Sequence, residues 1–271
     1  MLSARSIFDG EGVRVWDVAC RHGAGRGSAA EHAGGHAIVF VRRGCFVRSA
    51  DGVDAVLDPT VAYCMNPGEE QRFDHPHRHG DDCTSVALDA DVAAGLWGGD
   101  PALPAGPLPV APALDVEHRL LLAESLRGED VSERALNLVA RALEAVGPRR
   151  VASGRPATTR ARRALADAAR EALAERPDRS LVELARLLAV SPHHLSRVFR
   201  AQTGHTVARH RMRLRVRAAL DRLSGGEREL ARLAFELGFA DQAHLTRVVR
   251  AETGATPSAL RTALSDVSRA S

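Results

Sequence analysis

The stretch His194-Leu-Ser-Arg-Val-Phe-Arg-Ala-Gln-Thr-Gly204 returns fifty residues later as His244-Leu-Thr-Arg-Val-Val-Arg-Ala-Glu-Thr-Gly254, with eight of eleven positions identical. A match of this length within one chain marks a duplicated supersecondary unit. Each copy predicts a short helix, a tight turn and a second helix. In the first, about 180–204, Ser180-Leu-Val-Glu183 is a capping box, and Ser191-Pro192 supplies an N-cap with a proline at the first helical position. In the second, about 229–254, Leu233-Ala234 takes the place of Leu184-Ala185, Gly238-Phe239 forms the turn and Asp241 is the N-cap. The small Ala185 and Ala234 let the paired helices approach closely. Leu195 with Phe199, and Leu245 with Val249, fall at i and i+4 on the buried face. The turns are unequal, since Leu184 to Leu195 spans one residue fewer than Leu233 to Leu245.

That packing leaves His193, Ser196, Arg197 and Arg200 facing outwards on the first unit, and Gln242, Ala243, Thr246, Arg247 and Arg250 on the second. A helix fits the major groove, where Arg can bond a guanine edge in bidentate fashion, Gln can pair with adenine and small residues can touch a thymine methyl. His193, Ser196, Arg197, Gln242, Ala243, Thr246 and Arg247 are therefore expected to read bases. Arg200 and Arg250, a turn further on, and Arg209 and Arg211 on the joining helix, are expected to contact phosphates. A solvated face would explain one Arg-rich helix. It does not explain Arg197 and Arg247 recurring at the same phase of two matching helices.

Residues 160–264 resemble the DNA-binding domain of the AraC/XylS family. The resemblance is carried by LARLLAVSPHHLSRVFRAQTG in the first unit and LARLAFELGFADQAHLTRVVRAETGATPSALR in the second. It implies two recognition helices on one face, joined by a long helix, here Thr206–Leu223, and entering successive major grooves of a double-stranded operator. It also implies a transcription regulator, activator or repressor, that works as a homodimer and can meet RNA polymerase. Leu245 and Val249 depart from the family's aromatic residues, and Val207 from its common proline.

Charge divides along the chain in the same way. All 37 basic residues are Arg; residues 155–271 hold 22 of them against 12 acids, whereas residues 1–154 hold 15 against 22. A basic part joined to an acidic one points to a polyanionic partner for the basic part. The expected domains are a sensor barrel at 1–97, a helical pair at 98–147, a Pro/Gly-punctuated linker at 148–159 and the DNA-binding domain at 160–271. The expected class is α+β: a small antiparallel barrel with two helices, then an all-α domain.

The strands expected in front are Val13–Cys20, His36–Val41, Gly44–Ser49, Ala55–Leu57, Val61–Met65 and Thr84–Leu88, with turn signals every 8–12 residues. Leu114–Leu126 and Val131–Val146 read as helices whose apolar faces suit either packing on the barrel or dimerisation. Seven further helices are expected beyond residue 159. The front part looks more loosely like the cupin-like barrel that family members carry, through Val41-Arg-Arg-Gly44-x-Phe46, Asn66-Pro67-Gly68-Glu69 and Gly80-Asp-Asp-Cys83.

Its chemistry gathers in His75-Pro-His77-Arg-His79-Gly-Asp-Asp-Cys83, with Cys20, His22 and Cys64 on nearby strands. Imidazole and thiolate at such spacings can close a tetrahedral Zn2+ site, and strand positions of equal parity share a face. Cys20, His75, His79 and Cys83 form the expected ligand set, with His22, Cys64 and His77 in reserve. A His-rich surface loop beside small buried thiols, or a redox-active cysteine pair, fits the same residues. Cys45 reads as strand filling.

No apolar run approaches a membrane span and the N-terminus lacks a signal-peptide layout, so a cytoplasmic protein is expected. The leading reading is a regulator without catalysis, controlled by an unknown small-molecule effector, a metal or redox state. Its competitors are a cupin-type metalloenzyme or alkyl-transfer DNA-repair protein fused to a DNA-binding domain, and a nucleoid protein of weak sequence preference.

Overall fold

The computed structural model describes residues 2–21, 29–76, 80–100, 102–146 and 156–264. Nine strands come first: β1 (Leu2–Gly10), β2 (Val13–Cys20), β3 (Glu31–His32), β4 (His36–Arg43), β5 (Phe46–Ala50), β6 (Val53–Leu57), β7 (Val61–Met65), β8 (Glu70–Asp74) and β9 (Asp81–Leu88). They are followed by α1 (Ala90–Leu96), β10 (Pro107–Pro109), α2 (Pro112–Leu126) and α3 (Ser132–Glu144). The rest is helical: α4 (Pro156–Glu175), α5 (Leu181–Leu187), α6 (Pro192–Thr203), α7 (Val207–Ser224), α8 (Leu230–Glu236), α9 (Gln242–Thr253) and α10 (Pro257–Leu264). Among the described residues no helix is long and apolar enough to cross a membrane.

The strands form two antiparallel sheets, ordered β1-β2-β9-β4-β7-β10 and β3-β8-β5-β6. This corrects the expected barrel. Among the described residues the edge strands β1 and β10 pair only with β2 and β7, so the large sheet stays open and the small sheet lies across it. The run Ala37-Ile-Val-Phe-Val41 is apolar without alternation because the large sheet is covered on both faces. Ile38, Phe40, Val13, Val15 and Val86 face α2 and α3, where they share a core with Leu121, Leu138 and Val139. Val39, Val41 and Tyr63 face the small sheet and pack with Phe46 and Leu57. Of the two uses open to the helical pair, packing on the sheet is the one seen.

All seven expected C-terminal helices form. Two small cores hold them: Leu173, Leu184, Leu195 and Phe199 with Val207 and Leu214, and Leu233, Leu245, Val249 and Leu260 with Val216 and Leu220. The helix α7 supplies residues to both cores and so joins the units.

The front and back parts meet through buried polar contacts as well as apolar ones. Val116 and Leu120 of α2 pack on the second helical core. Asp58, fully buried in the turn after β6, receives Arg170 Nε of α4 at 3.0 Å, while Arg170 Nη1 donates to the Val56 carbonyl at 2.9 Å. Arg217, in the middle of α7, donates to the carbonyls of Pro59 and Val110. Arg119 of α2 lies 3.4 Å from Asp221 of α7.

Burial by itself would raise the Asp58 pKa. Arg170, His210 and two hydrogen bonds from Thr60 outweigh it and bring the value down to about 2. His210 Nε2 lies 3.6 Å from the Asp58 carboxylate, and His210 Nδ1 is 3.1 Å from His205 Nε2. Burial, helped by Arg213 for His205 and by Arg170 for His210, lowers both imidazoles from 6.5 to about 4, against the pull of Asp58.

A lowered imidazole pKa means that the unfolded chain takes up protons first, so stability is lost as pH falls from 6.5 towards 4. Asp58 adds a further loss between its ordinary 3.8 and about 2. Denaturation midpoints are therefore expected to drop from pH 7 to pH 5, and to drop less in His210→Gln; an equal drop in that variant would show that these imidazoles are not the cause.

Candidate functional site

Two places in the molecule gather functional side chains. The first is a cavity of about 270 Å³ between the sheets, walled by Leu2, Val18, Val39, Phe46, Tyr63 and Phe73, with Cys20, His75, Asp81 and Cys83 among its polar lining. Cys20 ends β2 and Asp81 opens β9 as direct cross-strand partners, so their side chains stand on one face of the large sheet. Gly80 makes this approach possible: its φ is +65°, and a Cβ there would lie 2.2 Å from the Cys20 carbonyl oxygen. His75 comes from the other sheet, just past β8, and its Nε2 is 2.8 Å from Asp81 Oδ2. The Cys83 thiol donates to Asp81 Oδ1 at 3.6 Å. Burial, then the Asp81 carboxylate, pushes the Cys83 pKa well up and keeps that thiol protonated.

The donor atoms of Cys20, His75 and Asp81 all lie within 4.8 Å of one another. Two of the four expected metal ligands are thus together. Cys83 stands beside the group, bonded to Asp81, and Asp81 takes the position that spacing had given to Cys83. His79, with the reserves His22 and His77, lies outside the described residues. Cys64 is on the opposite face, in the core under the helices, and Cys45 is beside Asp58 and Arg170. All four cysteines are buried and none is joined in a disulfide. The signal in the sequence that points to Asp81 is its place in Gly80-Asp-Asp-Cys83: at i and i+2 of one strand, Asp81 and Cys83 share a face.

The second place is the pair of helical hairpins, whose details repeat. The Ser191 hydroxyl accepts from His194 N–H at 3.2 Å, and the Asp241 carboxylate from His244 N–H at 2.6 Å. Ser180 and Glu183 close the predicted capping box on α5. Gly204 and Gly254 end α6 and α9 with φ of +77° and +83°, and the hydroxyls of Thr203 and Thr253 donate to the carbonyls of Phe199 and Val249. Leu195, Phe199, Leu245 and Val249 are fully buried. His193, Arg197, Arg200, Gln242, Ala243, Arg247 and Arg250 are exposed, and Ser196 and Thr246 are half-buried. Val190 N–H bonds the Ala185 carbonyl as Phe239 N–H bonds that of Ala234, so Ala189, with φ +54°, matches Gly238, and Ala240 is the extra residue of the second turn.

Residues 184–263 match the family described as "Helix-turn-helix domain". This is an AraC-type helix-turn-helix domain. A curated relative, the HTH-type transcriptional regulator GlxA of Rhizobium meliloti (strain 1021), is 30% identical over 226 residues, which cover 82% of this chain. The matched part spans 64% of that relative's length.

Among solved structures, ToxT from Vibrio cholerae O395 overlaps 95% of this chain and 100% of its own, with a TM-score of 0.37 and 10% identity. A cupin superfamily protein from Desulfitobacterium hafniense DCB-2 overlaps 32% of this chain and 77% of its own, with a TM-score of 0.28 and 11% identity.

Within the AraC-type domain two of the arginines expected at phosphates are engaged by the protein. Arg211 Nε and Nη2 donate to the carbonyls of Pro177 and Asp178, each at 2.9 Å, and so tie α7 to the turn before α5. Arg209 Nη1 lies 2.8 Å from Glu252 of α9, with its side chain still half in solvent. Arg200 and Arg250 stand exposed, and among the described residues no side chain pairs with either.

Proposed function

We propose that the chain is a one-component transcription regulator. Its AraC-type domain reads an operator in double-stranded DNA through His193, Ser196 and Arg197 on α6 and Gln242, Ala243, Thr246 and Arg247 on α9. Arg200 and Arg250 hold phosphates on either side, with Arg209 able to join them by releasing Glu252. The observation that carries this reading is the repetition itself: two hairpins whose second helices are capped at equivalent positions, bury apolar side chains at the same positions and carry the same outward arginines. The relative's description as a transcriptional regulator supports it.

The front part acts as the sensor. Its cavity suits a small effector of mainly apolar character, and the buried contacts of Asp58, Pro59 and Val110 with α4 and α7 carry the cavity's state to the DNA-binding units. A signal then shifts an equilibrium between placements of these units on an operator. A homodimer and a contact with RNA polymerase complete the scheme.

Selection of duplexes from a random-sequence pool by the full chain tests the reading. The recovered sequences should converge on a motif with two unlike halves spaced by about one helical turn, roughly 10 bp. Failure to converge, together with a steep loss of binding in salt, would favour a nucleoid protein instead.

A further inference from the structure

We propose that Cys20, His75 and Asp81 bind a thiophilic divalent cation, of which Zn2+ is the type, and that the ion clasps the two sheets of the front domain beside their shared cavity. The use of this ion as a signal rests on the regulator reading; the binding itself does not. Three donors of different chemistry converge here from separate elements: a thiol from the end of β2, a carboxylate from the start of β9 and an imidazole from beyond β8. Cys20 and Asp81 belong to the large sheet and His75 to the small one, so an ion bound by all three ties the sheets together.

The dimensions and charge suit such an ion. Bonds of about 2.0–2.3 Å in a tetrahedral site bring ligand atoms to roughly 3.5 Å apart, and the three donors already lie within 4.8 Å of one another. His75 Nε2 and Asp81 Oδ2, at 2.8 Å, part slightly to admit the ion, and the proton that Nε2 shares with Asp81 moves by way of solvent to Nδ1, so that the Nε2 lone pair bonds the cation. On binding, the Cys20 S–H bond breaks, its proton passes to solvent and the thiolate sulfur bonds the cation. One thiolate and one carboxylate then balance the two positive charges, with His75 neutral, so little net charge is left in a buried place.

A sulfur, nitrogen and oxygen set of this kind favours Zn2+ over the oxygen-seeking Mg2+ and Ca2+. The Cys83 thiol, bonded to the other oxygen of Asp81, fixes the carboxylate's orientation and is a positioning residue. Gly80 holds the site closed, because only a residue without Cβ lets β9 begin against the Cys20 carbonyl.

The test uses the purified full chain, reduced and stripped with a chelator, then titrated with Co2+ alone and with Zn2+ against a chromophoric chelator. One Co2+ per chain should bind with a thiolate-to-cobalt charge-transfer band in the near ultraviolet, and Zn2+ should raise the melting temperature. Cys20→Ser should abolish the band. Cys83→Ala should keep it while weakening Zn2+ binding by about tenfold, the scale of a lost orienting contact.

His75→Gln and Asp81→Asn should each weaken binding by more than that. His75→Gln, whose circular dichroism should match the parent, guards against loss of metal through misfolding of a Cys20 variant. No binding by the parent chain, a band that survives Cys20→Ser, or a folded His75→Gln with parental affinity would overturn the assignment. DNA takes no part in this measurement, so its outcome and that of the operator selection are independent.

Discussion

Asp58→Ala is expected to destabilise the chain by about 3–5 kcal/mol, the usual cost of removing one partner from a buried ion pair. The carboxylate is fully buried, and Arg170 Nε and Nη2 lie 3.0 and 2.9 Å from its Oδ2. Its other oxygen accepts from Thr60 N–H and hydroxyl at 2.7 and 2.6 Å. Alanine leaves the Arg170 guanidinium in the same dry place with the Val56 carbonyl and, at 3.4 Å, Asp167. Equilibrium denaturation of the full chain measures the loss. Asp58→Ala combined with Arg170→Met should recover part of it, because the stranded charge is then gone. A loss below about 1 kcal/mol, or a double variant as weak as the sum of its parts, would show that the pair is not what joins the two halves.

Arg197→Ala and Arg247→Ala are each expected to lower affinity for the selected operator by about 10–100-fold, corresponding to roughly 1–3 kcal/mol for a bidentate contact with guanine. Random duplex should be affected far less, so specificity falls. Arg200→Ala and Arg250→Ala should weaken both DNAs alike and reduce the salt dependence by about one phosphate contact each. Fluorescence anisotropy at two salt concentrations separates the two patterns. If Arg197→Ala and Arg247→Ala weakened operator and random DNA equally, these arginines would be phosphate anchors and the base-reading role would fall to other residues of α6 and α9.

How far the fold could be read in advance depended on whether its causes were local. The hairpins are legible because each signal acts within one turn of chain: Ser180 with Glu183, Ser191 with Pro192, and Asp241 at the start of its helix. Strands β2 and β7 could be placed to the residue, since both carry apolar runs bounded by turns.

The strand β1 escapes a sequence reading because it is a largely exposed edge whose alternation is broken by a bulge between Ser6 and Phe8, and β8 because Glu70-Gln-Arg-Phe-Asp74 hides one aromatic among polar residues. Barrel closure was wrong for a different reason: it depends on whether two edges meet, which no single strand encodes. Asp58 stands beside Pro59 between two strands with nothing local to mark it as buried, and its partner Arg170 lies 112 positions further on. Asp81 likewise became a ligand candidate only through its register with Cys20.

The helix α7 is shared by both helical cores and is gripped at Arg217 by the front domain. It therefore behaves as a common lever. On the proposed regulator reading, a tilt imposed at Pro59 or Val110 is expected to reach α6 and α9 together, without silencing one hairpin and sparing the other. On that same reading, occupancy of the two halves of an operator is then expected to rise and fall together.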